Sequence, residues 1–543
     1  MQANQYPQPA YGGGQQPYNA SAPPPNYGQN YGNNADYYNG NNTEFNNNPN
    51  NNAAPPQNYG APPQNYGAPP QPNADGKQDF SQAFQIAKPR FNDLWAGILL
   101  ILTFLGFTAV SIYCITGYGR GQASTSRDTF GNNSRFGLTR NTIGLFGYTL
   151  VVAVVLSAIY FAVARMFTKQ VIWISGILNI LAALASAGYL FYARAWAAAV
   201  IALLIAIFTI ICFISWIPRI PFSVLMFQTV VDVSKRYRSV YIVSALGGIV
   251  MALYGAWFAA TLMAVYARFE PSNPGGRSGP NENRGYGAIA GLFVFVTFAG
   301  YWISEWLKNT IHVTISGVYG SWYFNPENPP KGAARGAARR ALTYSFGSIA
   351  MGSLVIAILD FLRLLCSIAR QNEGGSGNFA ADCALCILGC ILSLIQWAAE
   401  FINRYAFSYM ALYGDAYIAS AKQTWKLIKD RGIDALINEC LINPVLSLGS
   451  TFVGVCSAFF AYLYLAYTNP AYNTNGGFTA VILLYAFLIG TQVCACVIVP
   501  LTSGIDTFFV AASWDPETLM RKHGDLYGRM VQVYPHVQQA IHA

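Results

Sequence analysis

Charged side chains inside long apolar stretches are the first residues of this sequence that could carry chemistry. Asp360 and Arg363 stand three residues apart in LTYSFGSIAMGSLVIAILDFLRLLC, residues 342–366, which reads as one long apolar helix. Glu305 and Lys308 repeat that spacing, which places two side chains on one helix face. A charge at the centre of a bilayer costs ~2.5–3.5 kcal/mol even on insertion scales. Such residues are therefore either functional or close to a membrane edge.

The depth of these charges, counted along each apolar stretch, favours the second alternative. A helix rises ~1.5 Å per residue, so a span that begins at Leu342 brings Asp360 to the outer boundary of the hydrocarbon. The same count brings Glu305 and Glu400 towards the inner boundary. We therefore predict that the charged pairs lie at the membrane edges, and that replacing Asp360 by Asn leaves the function intact.

Aromatic and amide side chains occupy the middle depth of these stretches instead. An aromatic group without a carboxylate can bind a quaternary ammonium, which donates no hydrogen bond and is attracted to ring faces. For each ring alone, core packing or lipid contact is the alternative, and only convergence in the fold would favour a site. The candidate substrate-binding residues are Tyr254, Trp257, Tyr301, Trp302, Trp397, Asn179 and Gln492.

Catalytic and metal-binding signatures do not occur in the sequence. There is no HExxH, nucleophile-elbow, Walker or dinucleotide-binding pattern, and the four His are too scattered to hold a metal together. CALC at 383–386 lacks a second Cys pair at zinc spacing. Cys366 and Cys383 flank a short loop, and whether they form a disulfide stays open. We expect no enzyme activity, no metal site and no cofactor.

The composition is that of a membrane protein. Of the 543 residues, 53% are hydrophobic and 10% are charged, against about 25% charged residues in soluble domains. The net charge of +9 does not indicate nucleic acid binding, because Lys and Arg lie between apolar stretches rather than along one aromatic-lined stripe. We predict an all-α polytopic membrane protein with about ten transmembrane helices. The predicted spans are 94–117, 143–166, 171–192, 196–217, 239–266, 287–307, 342–369, 379–402, 445–467 and 478–510.

The N-terminal segment differs from the rest of the chain. Residues 1–78 contain no Ile, Leu or Val and are rich in Asn, Pro, Tyr and Gly, so they cannot build a core. PPQNYGA repeats in tandem from Pro55, which is a low-complexity pattern. We predict a disordered cytoplasmic tail over 1–78, a transmembrane domain over 79–512 and a short cytoplasmic C-terminal tail over 513–543.

The distribution of positive charge predicts the orientation. Most of the 32 Lys and Arg lie in loops that an even number of spans puts on the same side as both termini. The positive-inside rule therefore places both termini in the cytoplasm. Asn132, in the Asn-Asn-Ser sequence at 132–134, is then an N-glycosylation acceptor outside the cell.

Further patterns concern helix packing and the inner surface. Small residues recur every four positions from Ser244 to Ala260, which lets a second helix approach closely. Pro500 in the last span predicts a kink or a break, and broken helices line the substrate path in several transporters. KGAARGAARR at 331–340 and the segment 413–441 carry basic residues at helical spacing, which predicts helices at the inner membrane surface.

Two segments that flank the eighth predicted span are ARRALTYSFGSIAMGSLVIAILDFLR at 338–363 and FINRYAFSYMALYGDAYIASAKQTWKL at 401–427. They resemble the signature regions of the choline transporter-like family, also called solute carrier family 44. The Asn- and Pro-rich tail, GIDALIN and ASWDPETL are most similar to the fungal branch of the family. The resemblance implies a ten-span carrier of choline or ethanolamine in the plasma membrane.

From this resemblance we expect a plasma-membrane transporter of choline or a related small organic cation. The expected partners are such a cation, for example choline or ethanolamine, and membrane lipids, with no nucleic acid. Two alternatives are a non-transporting membrane scaffold, with the tail as an interaction platform, and a lipid scramblase. The substrate, the coupling to protons or membrane potential, and the oligomeric state stay open.

Overall fold

Helices make up most of the parts of the chain that the computed structural model describes. These parts are residues 90–122, 140–194, 196–269, 282–328, 330–373, 379–431, 442–470, 473, 479–533 and 535. The helices are α1 Leu94–Gln122, α2 Arg140–Met166, α3 Thr168–Tyr192, α4 Trp196–Trp216, α5 Ile220–Arg236, α6 Ser239–Phe269, α7 Glu282–Phe324, α8 Ala333–Leu342, α9 Phe346–Glu373, α10 Phe379–Tyr413, α11 Tyr417–Arg431, α12 Ile442–Thr468, α13 Thr479–Trp514, α14 Pro516–Lys522 and α15 Gly524–Val533. The predicted tail over 1–78 lies outside the described residues.

Within these residues, nine helical stretches are long and apolar enough to cross a membrane. They are Leu94–Thr116, Gly147–Met166, Thr168–Tyr192, Ala202–Arg236, Ser239–Leu262, Phe346–Arg370, Ala384–Tyr413, Leu446–Thr468 and Ile482–Trp514. The remaining predicted span, 287–307, lies on α7, whose first turns have side chains outside the described set. The predicted all-α multi-pass fold is confirmed.

The spanning helices leave much of their apolar surface uncovered by protein. Between 6% and 39% of the residues in each apolar window are buried, and Leu253, Phe208 and Leu102 are 67%, 65% and 59% exposed. Exposing such surface to water would cost ~25 cal/mol per Å². Lipid chains are the solvent that suits it, and helices satisfy their backbone hydrogen bonds internally in that environment.

Two long helices, α7 and α13, form the centre of the bundle. α7 packs against α1, α6, α9 and α10, whereas α13 packs against α2, α5, α10 and α12. The two central helices also contact each other, and at Gly504 of α13 a Cβ would stand 2.5 Å from the ring of Tyr319 of α7. A glycine at this crossing therefore lets the two helices approach closely.

The sequence predicted one helix over residues 342–366, but the structure has a turn at the start of this stretch. α8 ends at Leu342 and α9 begins at Phe346. The backbone N–H of Ser345 donates to the carbonyl of Arg340 at 3.1 Å, which closes the turn between the helices. The apolar span therefore begins at Phe346.

The sequence predicted a kink or a break at Pro500, and α13 runs unbroken through this residue, so a break does not occur. Proline has no N–H for the carbonyl four residues before it, which is that of Cys496. The hydroxyl of Ser244 on α6 donates to that carbonyl at 2.6 Å, and a Cβ at Gly248 would meet the sulfur of Cys496. The predicted small-residue stripe thus packs at Ser244 and Gly248, whereas Ala260 at its far end is exposed.

Short helices lie between the spans and at the C-terminal end. α8 begins at Ala333 after Gly332, whose φ of 66° is left-handed, so the basic segment is helical only from residue 333. α11 forms the first part of the predicted inner helix, and residues 432–441 lie outside the described set. α14 is capped by Asp515, whose carboxylate accepts from the backbone N–H of Thr518 at 3.1 Å.

Candidate functional site

Four of the predicted aromatic residues converge between α1, α6, α7 and α9. The ring centroids of Tyr254 and Trp257 lie 5.8 and 5.1 Å from that of Phe107. Trp302 belongs to the same apolar cluster and is 1% exposed. Tyr301 packs at the border of the cluster and is half-buried. The structure therefore brings these four rings to one wall of the bundle.

Hydrogen bonds within the bundle fix two of the indole rings. Trp302 donates from Nε1 to the carbonyl of Ala350 on α9 at 3.0 Å. Trp257 donates from Nε1 to the hydroxyl of Ser111 on α1 at 2.6 Å. A buried Trp N–H needs such a partner, so these rings are held as part of the packing. Tyr301, at the border of the cluster, instead interacts electrostatically with charged residues of α9.

Charged and amide side chains meet between α9 and α10. Gln396 of α10 donates from Nε2 to Oδ1 of Asp360 at 2.8 Å and to Oε1 of Glu400 at 2.9 Å. The Oε1 atom of the same amide accepts from Arg363 at 3.1 Å. One buried glutamine thus connects two carboxylates and a guanidinium.

α7 adds an ion pair and a ring to this group. Nζ of Lys308 lies 3.1 Å from Oε1 of Glu305, and both residues interact electrostatically with Asp360. Tyr301, one turn before Glu305, interacts electrostatically with Asp360 and Arg363. We call the six polar residues the polar network: Glu305, Lys308, Asp360, Arg363, Gln396 and Glu400.

Two residues of the polar network lie near the middle of their apolar helical stretches, whereas the sequence predicted charged pairs at the membrane edges. Asp360 is close to the midpoint of Phe346–Arg370, and Gln396 is close to the midpoint of Ala384–Tyr413. One amide nitrogen cannot reach opposite edges of a ~30 Å hydrocarbon layer, yet that of Gln396 contacts both Asp360 and Glu400. Asp360 and Glu400 therefore do not lie at opposite boundaries, as the counts along the two apolar stretches had placed them. That the charged pairs lie at membrane edges stays a prediction.

A second polar group lies where α7, α10 and α13 meet. Nδ1 of His312 is 2.9 Å from the hydroxyl of Ser503, and its Nε2 is 3.1 Å from that of Ser408. Asp506 is 0% exposed, and Nε of Arg404 lies 3.8 Å from its Oδ2. Neither carboxylate oxygen of Asp506 has a hydrogen-bond partner among the described residues. Because an isolated buried charge is very costly, Arg404 supplies the compensation for Asp506.

Asp93, directly before α1, connects the two signature segments. Its Oδ2 accepts from the hydroxyl of Ser348 at 2.6 Å and from the backbone N–H of Tyr417 at 2.9 Å. Because Tyr417 is the first residue of α11, the carboxylate lies at the positive end of that helix. The hydroxyl of Tyr417 donates to Oδ1 of Asn403 at 2.5 Å. Burial raises the pKa of Tyr417 to about 12, so this hydroxyl keeps its proton.

Three predicted substrate-binding residues do not join the aromatic wall. Asn179 on α3 and Gln492 on α13 are exposed. Trp397 is 67% exposed and stacks on Phe401, with ring centroids 6.0 Å apart. The structure does not bring these three residues to the aromatic wall.

The metal, disulfide and glycosylation predictions concern other parts of the chain. Among the described residues, no group of three or more His, Cys, Asp or Glu is placed to hold a metal ion. The thiol of Cys366 is buried and donates to the carbonyl of Leu385 at 3.3 Å. The side chain of Cys383 and the predicted acceptor Asn132 lie outside the described residues.

Sequence reasoning missed Asp506, His312 and Asp93. A signal for Asp506 was present, since it is an acidic residue within the predicted last span. His312 and Asp93 gave no such signal, because their roles come from contacts with segments far away in the sequence. Only the folded bundle shows those contacts.

The fold and these two polar groups define a class of protein. Apolar helices surround charged side chains, of which Asp506 is fully buried, and ionisable residues inside a helical membrane bundle mark substrate or ion pathways. Residues 200–517 match the family described as plasma-membrane choline transporter. The chain belongs to this family and is a multi-pass membrane transporter of the choline transporter-like kind.

Several fungal proteins are similar to this chain over most of its length. Protein PNS1 of Gibberella zeae is 52% identical over 471 residues, which cover 86% of this chain and 87% of its own. Protein PNS1 of Neurospora crassa is also 52% identical over 471 residues, covering 86% and 84% of the two chains. Protein PNS1 of Saccharomyces cerevisiae is 34% identical over 467 residues, covering 84% and 87%.

Proposed function

We propose that the chain carries choline or a related small organic cation across the plasma membrane, with both termini in the cytoplasm. The observation that carries this proposal is the charge composition of the polar network. It contains three carboxylates, Glu305, Asp360 and Glu400, and two cations, Lys308 and Arg363. A net negative charge in hydrocarbon is costly. A monovalent organic cation bound there would neutralise it.

Tyr301 supplies the ring of this proposed site. It borders the polar network and interacts electrostatically with Asp360. An ammonium group beside a carboxylate and over an aromatic face is attracted by both. Tyr254, Trp257 and Trp302 then hold the wall that positions Tyr301, because they pack in the same cluster.

Water has to reach the polar network for such a site to load. Arg363 and Glu400 are exposed at the side of the bundle, and an exposed charge facing lipid at mid-span would cost several kcal/mol. The same charges in a water-filled opening between α9 and α10 keep their hydration. The proposal therefore includes an aqueous access path at this side, along which the cation arrives.

Uptake by proteoliposomes that contain the full chain tests the proposal. Labelled choline, ethanolamine and an uncharged analogue are offered, with membrane potential and pH gradient set independently. We expect saturable uptake of at least one amine, and an inside-negative potential should drive it, since ~2.3 kcal/mol per charge is available for each 100 mV. Absence of uptake of every amine, with intact protein in the liposomes, would sink the proposal. Phospholipid movement in its place would indicate a scramblase.

Replacing single carboxylates locates the site. Asp360→Asn and Glu400→Gln each remove a negative charge from the polar network, and we expect KM for the cation to rise about tenfold, the equivalent of ~1.4 kcal/mol. For Asp360 this expectation replaces the unchanged function that its predicted position at the membrane edge implied. Glu517→Gln, on the exposed surface of α14, is the control with the same change in net charge and should leave KM unchanged. Equal KM values for all variants would place the cation elsewhere.

A further inference from the structure

A basic cavity lies between α2, α5, the end of α7 and the C-terminal helices α14 and α15. Its volume is about 710 Å³, and five Lys and Arg but only two Asp line it. The cations are Arg165, Lys235, Arg236, Lys522 and Arg529. A cavity of this charge repels an organic cation, so its ligand differs from the transported substrate.

Two of the five cations are engaged by the protein itself. Nζ of Lys235 lies 2.5 Å from Asp232, one of the two lining carboxylates. Lys522 donates to the carbonyl of Phe324 at the end of α7. Burial lowers the pKa of Lys522, as it does for an ammonium whose charge is incompletely compensated.

Three arginines on three different helices face the cavity without such a partner. Arg165 lies in the last turn of α2, Arg236 ends α5, and Arg529 belongs to α15. All three are exposed. In the described part of the chain, none of them forms an ion pair with a carboxylate. A guanidinium binds phosphate through two parallel hydrogen bonds. Three of them around one cavity suit a ligand with more than one phosphate.

The first turn of α15 adds backbone donors to the same cavity. Gly524 and Leu526 both line it, and the first N–H groups of a helix have no partner within that helix. A Cβ at Gly524 would meet no other atom within 4 Å, so space is open there. Anions bind at such helix starts. Asp525 is the second lining carboxylate, and the two carboxylates remain outnumbered by the cations.

We propose that this cavity binds a phosphorylated headgroup that carries at least two phosphates. Its volume of about 710 Å³ falls within the ~300–1,000 Å³ usual for small-ligand sites. The source is either an anionic lipid, since basic pockets beside transmembrane helices bind such headgroups, or the soluble headgroup. The bound ligand joins α2, α5 and α15, so it ties the C-terminal helices to the spanning bundle. This inference does not depend on the transported substrate.

Binding measurements on the purified full chain test the proposal. The probes are inositol trisphosphate in solution and phosphatidylinositol bisphosphate in phosphatidylcholine nanodiscs. We expect saturable binding of at least one probe, and in the double variant Arg165→Gln, Arg529→Gln the affinity should fall at least about tenfold, because two charge-assisted bidentate contacts are lost. If both probes bind, the site takes the headgroup itself; if only the nanodisc probe binds, the source is the lipid.

A matched variant separates the cavity from general surface charge. Arg335→Gln, Arg339→Gln removes two exposed arginines from α8, outside the cavity, and should keep the affinity of the unmodified chain. An equal loss in both double variants would overturn the proposal, and so would absence of binding of either probe. If the cavity variant proves unstable, the single variant Arg236→Gln is measured against Arg335→Gln with the same expected outcomes.

Discussion

The cost of replacing a buried polar residue in this bundle depends on the residues that it contacts. Asp506 is fully buried, and Arg404 is its ion-pair partner. In a low-dielectric interior, the loss of one partner of such a pair is more costly than the loss of both, because the remaining charge stays buried. The same reasoning applies to Gln396, whose amide serves two carboxylates and a guanidinium. The change in stability on replacing one of these residues by a neutral one therefore depends on whether its partner is also replaced.

A double-mutant cycle at Arg404 and Asp506 measures this dependence. We expect Arg404→Gln to lower the free energy of unfolding by ~3–5 kcal/mol, because it leaves the Asp506 carboxylate uncompensated. Adding Asp506→Asn should restore most of that loss, so the two changes are far from additive. Unfolding of the purified protein in detergent by a denaturant series gives the four values. Additive effects would mean that Arg404 does not compensate Asp506.

At the scale of helices, apolar length predicts that a span exists far better than where it starts. The apolar stretches around residues 94–117 and 445–467 were located within a few residues. The span that carries Asp360 begins at Phe346 rather than at residue 342, because a turn after Leu342, closed by the backbone bond from Ser345 to Arg340, interrupts an otherwise helical sequence. Hydropathy carries no information about such a turn, so the depth counted for Asp360 changes with the first residue of the span.

Pro500 shows how a neighbouring helix can repair a backbone defect. The carbonyl of Cys496 lacks its usual helical donor, and the hydroxyl of Ser244 on α6 takes that place. A freed carbonyl in lipid is costly, so the two residues are coupled although they lie on different helices. The sequence placed Ser244 in a small-residue stripe, but its hydrogen bond could be known only from the contact between α6 and α13.

Variants of Ser244 and Pro500 test whether the Ser244 hydroxyl replaces the missing proline N–H. Ser244→Ala should lower the free energy of unfolding by ~1–3 kcal/mol, because it leaves the carbonyl of Cys496 without a donor. In a Pro500→Ala background the restored N–H serves that carbonyl, so the same serine change should cost little. Ser186→Ala, where the hydroxyl bonds only within its own helix, is the control. Thermal unfolding in detergent measures all of these, and an equal cost of Ser244→Ala in both backgrounds would contradict the proposed repair.

At the scale of the whole molecule, charges of opposite sign are separated along the bundle. Carboxylates exceed cations in the polar network, whereas cations exceed carboxylates in the cavity beside the C-terminal helices. The two sites therefore attract ligands of opposite charge. Because α7 extends from the first region to the second, one rigid helix connects them.

The docking of the C-terminal helices should depend on pH. Burial holds the pKa of His523 below its ordinary value, and Nε2 of the neutral ring donates to the carbonyl of Tyr323 at 2.9 Å. When α14 and α15 are detached, His523 binds a proton at the ordinary pKa, so the detached state takes up more protons as the pH falls. The docked state is therefore most stable at a pH above the ordinary His pKa. It loses stability as the pH falls from that pKa through the lowered pKa of docked His523.

Hydrogen exchange of α14 and α15 checks this expectation. We expect their protection to decrease between about pH 7.5 and about pH 5.5, on either side of the ordinary His pKa of about 6.5, after correction for the intrinsic exchange rate. His523→Gln keeps a side-chain donor without a titrating ring, so its protection should not change over this range. A similar decrease in both proteins would show that another group is responsible.

The contacts of Asp93 also decide how far the chain can be shortened from its N-terminus. Asp93 lies immediately before the first apolar span, and Asn92 donates from its side-chain amide to the carbonyl of Gly414 at 2.9 Å. An expression clone that begins at Leu94 would encode every apolar span, yet it would leave the start of α11 without its acceptor carboxylate. A clone that removes the Asn-rich repeats but begins before Asn92 would keep it. Asn92 and Asp93 belong to no apolar span, yet a truncation that removes them loses the contacts with Gly414 and Tyr417. A truncation that stops before Asn92 keeps those contacts.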